Sequence, residues 1–227
     1  MSDQRGITRR TFITGAFALI AGMGLAACAS GGATQTSAAS SAAGSDSSQS
    51  QSNDSGSTSA TPSTSGSHRI LVAYYSAQGH TQRVAERIAQ DLGADTFQIT
   101  PAQPYSDEDL NFNNDQSRVV REYQDTSLRD IPLSTTTPDN WADYDVVFVG
   151  YPIWWMDYAW PVTHFASDND FSGKTVIPFC TSMSSSIGSS AKNLAAVAGT
   201  GDWQDGQRFG ENAGDDEVDN WVSGLGL

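Results

Sequence analysis

The sequence predicts an α/β domain built on a doubly wound parallel sheet. Continuous apolar runs occur at 69–76 and 145–152, and such runs are typical of strands that are buried on both faces. An amphipathic helix follows the first run. Because strand and helix patterns then alternate to the end of the chain, we expect parallel strands with helices on both faces of the sheet.

The first strand and the first helix have the clearest patterns. "RILVAYYS" at 69–76 is β-rich and apolar, and it predicts the first strand. From His80 to Leu92, apolar side chains recur every four residues at Val84, Ile88 and Leu92, while charged residues occupy the other face. This spacing predicts an amphipathic helix that packs on the sheet.

Shorter patterns predict the later elements. These are strands at 95–100, 145–152, 174–179 and, weakly, 201–209, with helices at 189–198 and 215–227. Pro178 lies inside one of these strands and cannot donate to a ladder, so we expect that strand to be irregular or bulged there. The Asn- and Asp-rich segment 101–140 is predicted to contain a helix around Asp107–Tyr123.

The N-terminal part predicts export rather than a folded core. Residues 1–27 contain "TRRTFIT" and a short apolar run that ends in "LAAC", and they resemble a twin-arginine signal with a lipobox. Cys28 would then be the lipidated first residue of the mature protein. An ordinary signal peptide or an uncleaved anchor is the alternative.

A low-complexity segment separates this signal from the predicted domain. Residues 29–67 include 15 serines and no Leu, Ile, Val or aromatic side chain. Burial cannot offset the entropy of ordering such a segment, so we expect 28–67 to be a disordered tether. The remaining residues, 68–227, have the length of one domain.

Charge and cysteine content narrow the classes of partner and of chemistry that we expect for the chain. The chain has 12 Lys and Arg against 26 Asp and Glu, a formal charge of −14, which disfavours nucleic acid as a partner. The acidic surface serves solubility or steers a basic protein partner. Cys180 is the second of two cysteines, and its apolar neighbours favour a small buried side chain over a catalytic thiol.

The turn "SAQGHT" at 76–81 lies between the first predicted strand and helix. In an open parallel sheet this turn faces the ligand crevice, and a helix N-terminus attracts anions. The turn lacks the lysine of a nucleoside triphosphate loop and the glycines of a dinucleotide loop. Its neutral donors suit one terminal phosphate, although a plain turn with a hydroxyl cap would have a similar sequence.

A second stretch, "GYPIWWMDYAWP" at 150–161, follows the strand that is expected to lie beside the first one. Three tryptophans are difficult to place in a core alone, because each indole needs room and a partner for its N–H. A flat aromatic ligand stacked against them would explain their presence.

Three stretches together resemble the signature segments of the flavodoxin family, specifically its bacterial flavodoxin-like lipoprotein branch. They lie at 70–89, 144–155 and 171–190, and the resemblance spans 69–227. It implies a three-layer α/β/α sandwich whose five-stranded parallel sheet has the strand order 2-1-3-4-5. It also implies one noncovalently bound FMN.

The resemblance implies a role for each stretch. The first would hold the FMN phosphate, the second would line one side of the isoalloxazine ring, and the third would bring donors to the polar edge of the ring and to the ribityl chain. The residues concerned are, in that order, Ser76, Gln78, Gly79, His80 and Thr81; Pro152, Ile153, Trp154 and Trp155; and Thr181, Ser182, Met183, Ser184, Ser185 and Gly188.

Two departures from the family pattern concern the ligand. No tyrosine lies between Thr181 and Gly188, where many flavodoxins place one over the outer face of the ring. Met183 would cover part of that face, or the face would be open. His80 would contact the phosphate through its N–H, through its ring, or not at all.

The expected function is therefore an FMN electron carrier, anchored by lipid on the extracytoplasmic face of the cell membrane, with basic redox protein partners. No catalytic residue or metal ligand is assigned, because the cofactor carries the chemistry. The alternatives are an NAD(P)H-dependent FMN or quinone reductase on the same fold, and a binding module without flavin.

Overall fold

The computed structural model describes residues 68–227. The signal, Cys28 and the tether lie outside these residues. The strands are β1 (Ile70–Tyr74), β2 (Asp95–Gln98), β3 (Val146–Trp154), β4 (Asp157–Tyr158), β5 (Thr175–Ser182), β6 (Asp202–Trp203) and β7 (Gln207–Gly210). The α-helices are α1 (His80–Leu92), α2 (Arg118–Gln124), α3 (Thr163–Ser167), α4 (Ser190–Ala198) and α5 (Asp215–Gly224).

The predicted parallel α/β fold is confirmed. The strands form one sheet in the order β2-β1-β3-β5-β6, and β1 pairs in parallel with both β2 and β3. β3 and β5 are also parallel, in register from Val146 opposite Thr175 to Pro152 opposite Thr181. All carboxyl ends of these paired strands therefore lie at the same edge of the sheet.

The sheet has seven strands rather than the five that were predicted. One addition is β4, a two-residue strand that pairs antiparallel with the end of β3. The other arises because the predicted last strand is divided into β6 and β7, which both pair with β5. The predicted path through the sheet is otherwise unchanged.

Pro178 explains the division of the last strand. In β5, the Val176 carbonyl accepts a hydrogen bond from the amide of Gln204, the residue after β6. The backbone groups of alternate residues of β5 therefore face the side on which β6 lies. Pro178 follows two residues later and has no N–H to donate there. At this point the chain turns through Gly206, at a φ of 77°, and pairing resumes from Phe179 opposite Gln207. β5 itself runs unbroken through Pro178 in continuous register with β3, so the predicted irregularity of that strand is wrong, and the interruption lies in its neighbour.

Helices cover both faces of the sheet and complete three layers. On one face, α1 and α5 contact each other and bury apolar side chains, which include Val84 and Ile88, predicted from their spacing in α1, and Val218 of α5. On the other face, α3 and α4 pack together and bury Phe165 and Leu194. The core therefore lies on both sides of strands that are themselves apolar.

The helix predicted at Asp107–Tyr123 is shorter than expected. A first turn forms at Ser106 and Asp109, which hydrogen-bond each other's backbone N–H groups. The chain then continues in turns through Asn111 and Asn114, and α2 begins only at Arg118. Asparagine side chains bond to nearby amides here, at Asn113 and Gln116, and so compete with helix formation.

Candidate functional site

Most of the predicted site residues line one cleft, at the carboxyl ends of β1, β3 and β5. Its cavity volume is about 170 Å³, and it is open to solvent on one side. From the predicted set it brings together Ser76, Gln78, His80, Thr81, Pro152, Ile153, Trp154, Trp155, Thr181, Ser182 and Met183. Gly79, Ser184, Ser185 and Gly188 do not line it.

The turn before α1 borders the cleft and leaves backbone N–H groups without partners inside the helix. Gly79 is the N-cap residue at a φ of 88°, and no side chain caps the helix. The first helical bond runs from the Arg83 amide to the Gly79 carbonyl, so the amides of the first turn have no acceptor within the helix. Ser76 Oγ accepts the Gly79 N–H at 3.1 Å, which holds the turn in this shape.

The structure gives His80 a definite contact. Its Nδ1 donates to the Glu211 carbonyl at 2.8 Å, across to the loop that follows β7. Arg83 donates to the same carbonyl at 2.8 Å and to the Ala213 carbonyl at 3.1 Å. The His80 ring therefore helps to fix the 211–213 loop beside the turn, while its backbone N–H belongs to the first turn of α1.

No lysine or arginine is among the residues that line the cleft. The polar residues that line it are those with hydroxyl groups, together with Gln78, His80 and Glu211. Thr81 Oγ1 and Thr181 Oγ1 are hydrogen-bonded to each other at 2.8 Å and are buried. An anion at this end would be held by neutral donors and by the dipole of α1.

Aromatic rings form the opposite wall. Trp154 is half-buried and its ring lies edge-on to Tyr75, with ring centroids 5.7 Å apart. Trp155 and Met156 form the tip of the β3–β4 hairpin, and both have positive φ values, 43° and 68°. A two-residue hairpin loop requires positive φ at both central positions, where bulky residues are uncommon. The Trp155 ring stacks on Tyr123 with centroids 4.3 Å apart.

The loop after β5 is fixed by an arginine that the sequence analysis did not single out. Arg208, in β7, donates to the Ser182 carbonyl at 2.7 Å and to the Met183 carbonyl at 3.1 Å. Ser182 Oγ donates in turn to the Ser185 carbonyl. Ser185 thus shapes the loop from outside the cleft, and Met183, 75% exposed, lies at the mouth.

Two comparisons with known proteins bear on this arrangement. The sequence model of the family described as flavodoxin matches residues 69–225. Among solved structures, a protein from Bacteroides eggerthii that is assigned as a flavoprotein shares 37% identity at a TM-score of 0.62, covering 70% of this chain and 99% of its own.

The chain belongs to the flavodoxin family. A second structure, from Bacteroides uniformis and also assigned as a flavoprotein, shares 34% identity at a TM-score of 0.62, and covers 69% of this chain and 98% of its own. No curated protein matches the chain significantly.

Five lining residues of this flavodoxin were missed by the sequence analysis: Ala77, Leu110, Phe112, Val119 and Glu211. Ala77 lies inside the predicted turn, where its small side chain gives no signal. Leu110, Phe112 and Val119 come from the segment whose helix was misplaced. Phe112 offered no usable signal, because single apolar residues among polar ones are common on protein surfaces.

Three further observations concern this flavodoxin domain. Within residues 68–227, no cluster of three or more His, Cys, Asp or Glu side chains is arranged to bind a metal ion. In the same residues, no helix has the length and apolarity needed to cross a bilayer. Burial raises the pKa of the Cys180 thiol to about 12, so this side chain is protonated at neutral pH.

Proposed function

We propose that this flavodoxin binds one FMN in the cleft and carries electrons between protein partners. The supporting observation is that two features lie together at one edge of the sheet. One is a turn without lysine or arginine, whose backbone amides have no acceptor within α1, and the other is a wall of tryptophans. FMN has the matching parts, a terminal phosphate and a flat ring.

The residues present fit each part of FMN. Ser76, Thr81 and the first-turn amides of α1 would hold the phosphate, where neutral donors to a charged group each contribute about 1.5–3 kcal/mol. Trp154 and Trp155, with Ile153, would contact the ring. When bound, FMN supplies the redox chemistry, and the protein supplies binding, orientation and exclusion of water.

A reductase that uses NAD(P)H and a quinone is the second candidate. It is favoured by the exposure of the cleft mouth, where Met183 and Phe112 are 75% and 65% exposed. A second substrate could reach a ring that is covered only by these side chains. The carrier is preferred because the sequence has no evident dinucleotide motif and because the surface is strongly acidic.

One purification separates these candidates. The full-length protein is isolated, its visible spectrum is recorded, and NADH or NADPH is then added together with a quinone. A yellow protein that is inert to both nucleotides supports the carrier, and a yellow protein with turnover supports the reductase. A colourless protein that does not bind added FMN contradicts both and leaves a flavin-free binding module.

We also propose that the domain is lipid-anchored outside the cytoplasm and docks basic redox partners. The support is the signal-like segment 1–27, the position of Cys28 and the net charge of −14. A twin-arginine route exports folded proteins, which suits a cofactor that must be enclosed before export. Replacing Cys28 by Ser should release the protein from the membrane fraction, whereas persistence there would contradict lipid anchoring. Raising the salt concentration should weaken partner binding.

A further inference from the structure

Glu122 is a buried carboxylate outside the cleft, and neither the predicted site nor the proposed function uses it. It lies in α2 and is 3% exposed. A buried charge is strongly unfavourable unless hydrogen bonds and an opposite charge compensate it. Arg118 provides both, because its Nε donates to Glu122 Oε1 at 2.7 Å.

The second carboxylate oxygen holds two aromatic side chains. Tyr105 Oη donates to Glu122 Oε2 at 2.6 Å, and Trp160 Nε1 donates to the same oxygen at 2.7 Å. Burial, reinforced by this hydrogen bond, raises the pKa of Tyr105, so its hydroxyl keeps its proton. One oxygen thereby fixes the positions of two rings that are far apart in the sequence.

These two rings enclose Trp154, which lines the cleft. The Trp154 ring centroid lies 5.5 Å from that of Tyr105 and 4.8 Å from that of Trp160, at interplanar angles of 72° and 67°. Such edge-to-face contacts depend on ring orientation. The position of Trp154 therefore depends on the two rings that Glu122 holds.

Trp155 depends on the same carboxylate through Trp160. The Trp155 and Trp160 rings stack at an interplanar angle of 20° with their centroids 5.8 Å apart. Trp155 also lies at the tip of the β3–β4 hairpin, where its φ of 43° is uncommon for a bulky residue. Both tryptophans of the cleft wall are thus in contact with a ring that donates to Glu122.

We propose that Glu122 is a positioning residue for the cleft, which sets the orientation of Trp154 and Trp155 through its hydrogen bonds to Tyr105 and Trp160. This inference rests on the proposed binding of FMN against that wall. The competing view is that Glu122 only stabilises α2 through its ion pair with Arg118.

The substitution Glu122→Gln separates these two roles. Glutamine has nearly the same shape but only one acceptor oxygen, so it cannot satisfy Arg118 together with the pair of ring donors. Tyr105→Phe is the milder variant, because it keeps the ring and the ion pair and removes one donor. Glu86→Gln, on the exposed face of α1, is the matched control.

Two measurements are made on the full-length protein and its variants. The first is the near-ultraviolet circular dichroism of the flavin-free protein, which reports the mutual orientation of the tryptophans without any cofactor. The second is the Kd for added FMN. We expect Glu122→Gln to change the aromatic signal and to raise Kd by about tenfold to a hundredfold. Tyr105→Phe should change both in the same direction by less, and Glu86→Gln should change neither.

The outcomes distinguish this inference from the proposed function. If the wild-type protein binds no FMN, the proposed function fails, and the dichroism of the flavin-free variants still tests whether Glu122 orients the tryptophans. If Glu122→Gln does not fold, Tyr105→Phe provides the same test with the ion pair intact. An unchanged aromatic spectrum and an unchanged Kd in the folded variants overturn the inference, even if their melting temperature falls.

Discussion

Thr81 Oγ1 lies 2.8 Å from Thr181 Oγ1 in a buried hydrogen bond that joins the first turn of α1 to the carboxyl end of β5. The two residues are 100 positions apart in the sequence. Both had been assigned to the cleft, one on the phosphate side and one on the side of the ring edge. Their bond fixes the distance between these two sides before any ligand arrives.

Thr81→Val should therefore destabilise the domain and weaken FMN binding. Valine has a similar shape, but it leaves the buried Thr181 hydroxyl without its partner, which costs about 1–3 kcal/mol. Urea unfolding and FMN titration measure the two effects. The double variant Thr81→Val/Thr181→Val should cost less than the sum of the single changes, and Thr135→Val, at an exposed position, should be neutral. Additive losses would show that the two hydroxyls are not coupled.

Gly150→Ala should be among the more damaging single-methyl additions to the core. A Cβ at this position of β3 would lie 2.2 Å from the Phe179 ring. The ring must move within a packed interior, and we expect a loss of roughly 1–3 kcal/mol in the free energy of unfolding. Gly224→Ala, at the end of α5 with no atom within 4 Å of the new methyl group, is the control and should change little. Chemical denaturation measures both, and Gly150→Ala/Phe179→Leu should recover part of the loss.

His164 should make the stability fall as the pH rises. Its hydrogen bond to Asp130, at 2.6 Å, and a second one to Asp168 raise the pKa of His164 in the folded state. The stabilisation is complete below the unfolded pKa of about 6.5 and is lost as the pH rises through the higher folded pKa. Because Asp130 is largely exposed, the effect should stay within about 1 kcal/mol.

The measurement is the unfolding free energy from pH 5.5 to 9, compared between the wild-type protein and His164→Gln. The variant should lose stability at low pH and match the wild-type protein at high pH, since only the protonated imidazole is stabilised. Parallel curves over the whole range would contradict a role for its protonation.

Cys180 should react with thiol reagents only when the domain opens. The side chain is fully buried in β5, and burial raises the pKa of its thiol to about 12, so little thiolate forms at neutral pH. On the Cys28→Ser background, which leaves this one thiol, the labelling rate should follow the unfolding equilibrium as urea is added. Rapid labelling of the native protein would show that the site opens locally.

Much of the fold could be predicted because its signals are periodic. The apolar residues of α1 recur every three to four positions, and those of β3 form a continuous run. In the structure both sets are buried, as these patterns predict. The interrupted last strand was harder to predict. Pro178 has its effect on β6 and β7, which are neighbours in space, and no local pattern in β5 shows which neighbour will be affected.

The cleft was only partly predictable, for a related reason. The turn at 76–81 and the tryptophans at 154–155 are local motifs, and each indicates its own chemistry. Arg208 forms a hydrogen bond with Ser182, 26 positions away in the sequence. Glu122 forms one with Trp160, 38 positions away. A single sequence has no periodic signal for such pairs, because their partners are chosen by the packing of the finished fold.

The place where β1 begins has a consequence for how the protein would work at a membrane. The strand starts two residues after His68, at the edge of the sheet opposite to the cleft. A five-residue strand spans roughly 15–20 Å, so residues that precede the domain join it at the end away from the cleft. If the proposed lipid anchor and FMN binding hold, the point at which the chain enters the domain and the cofactor cleft lie at opposite ends of β1, so a protein partner would approach the cofactor at the end away from the attachment point.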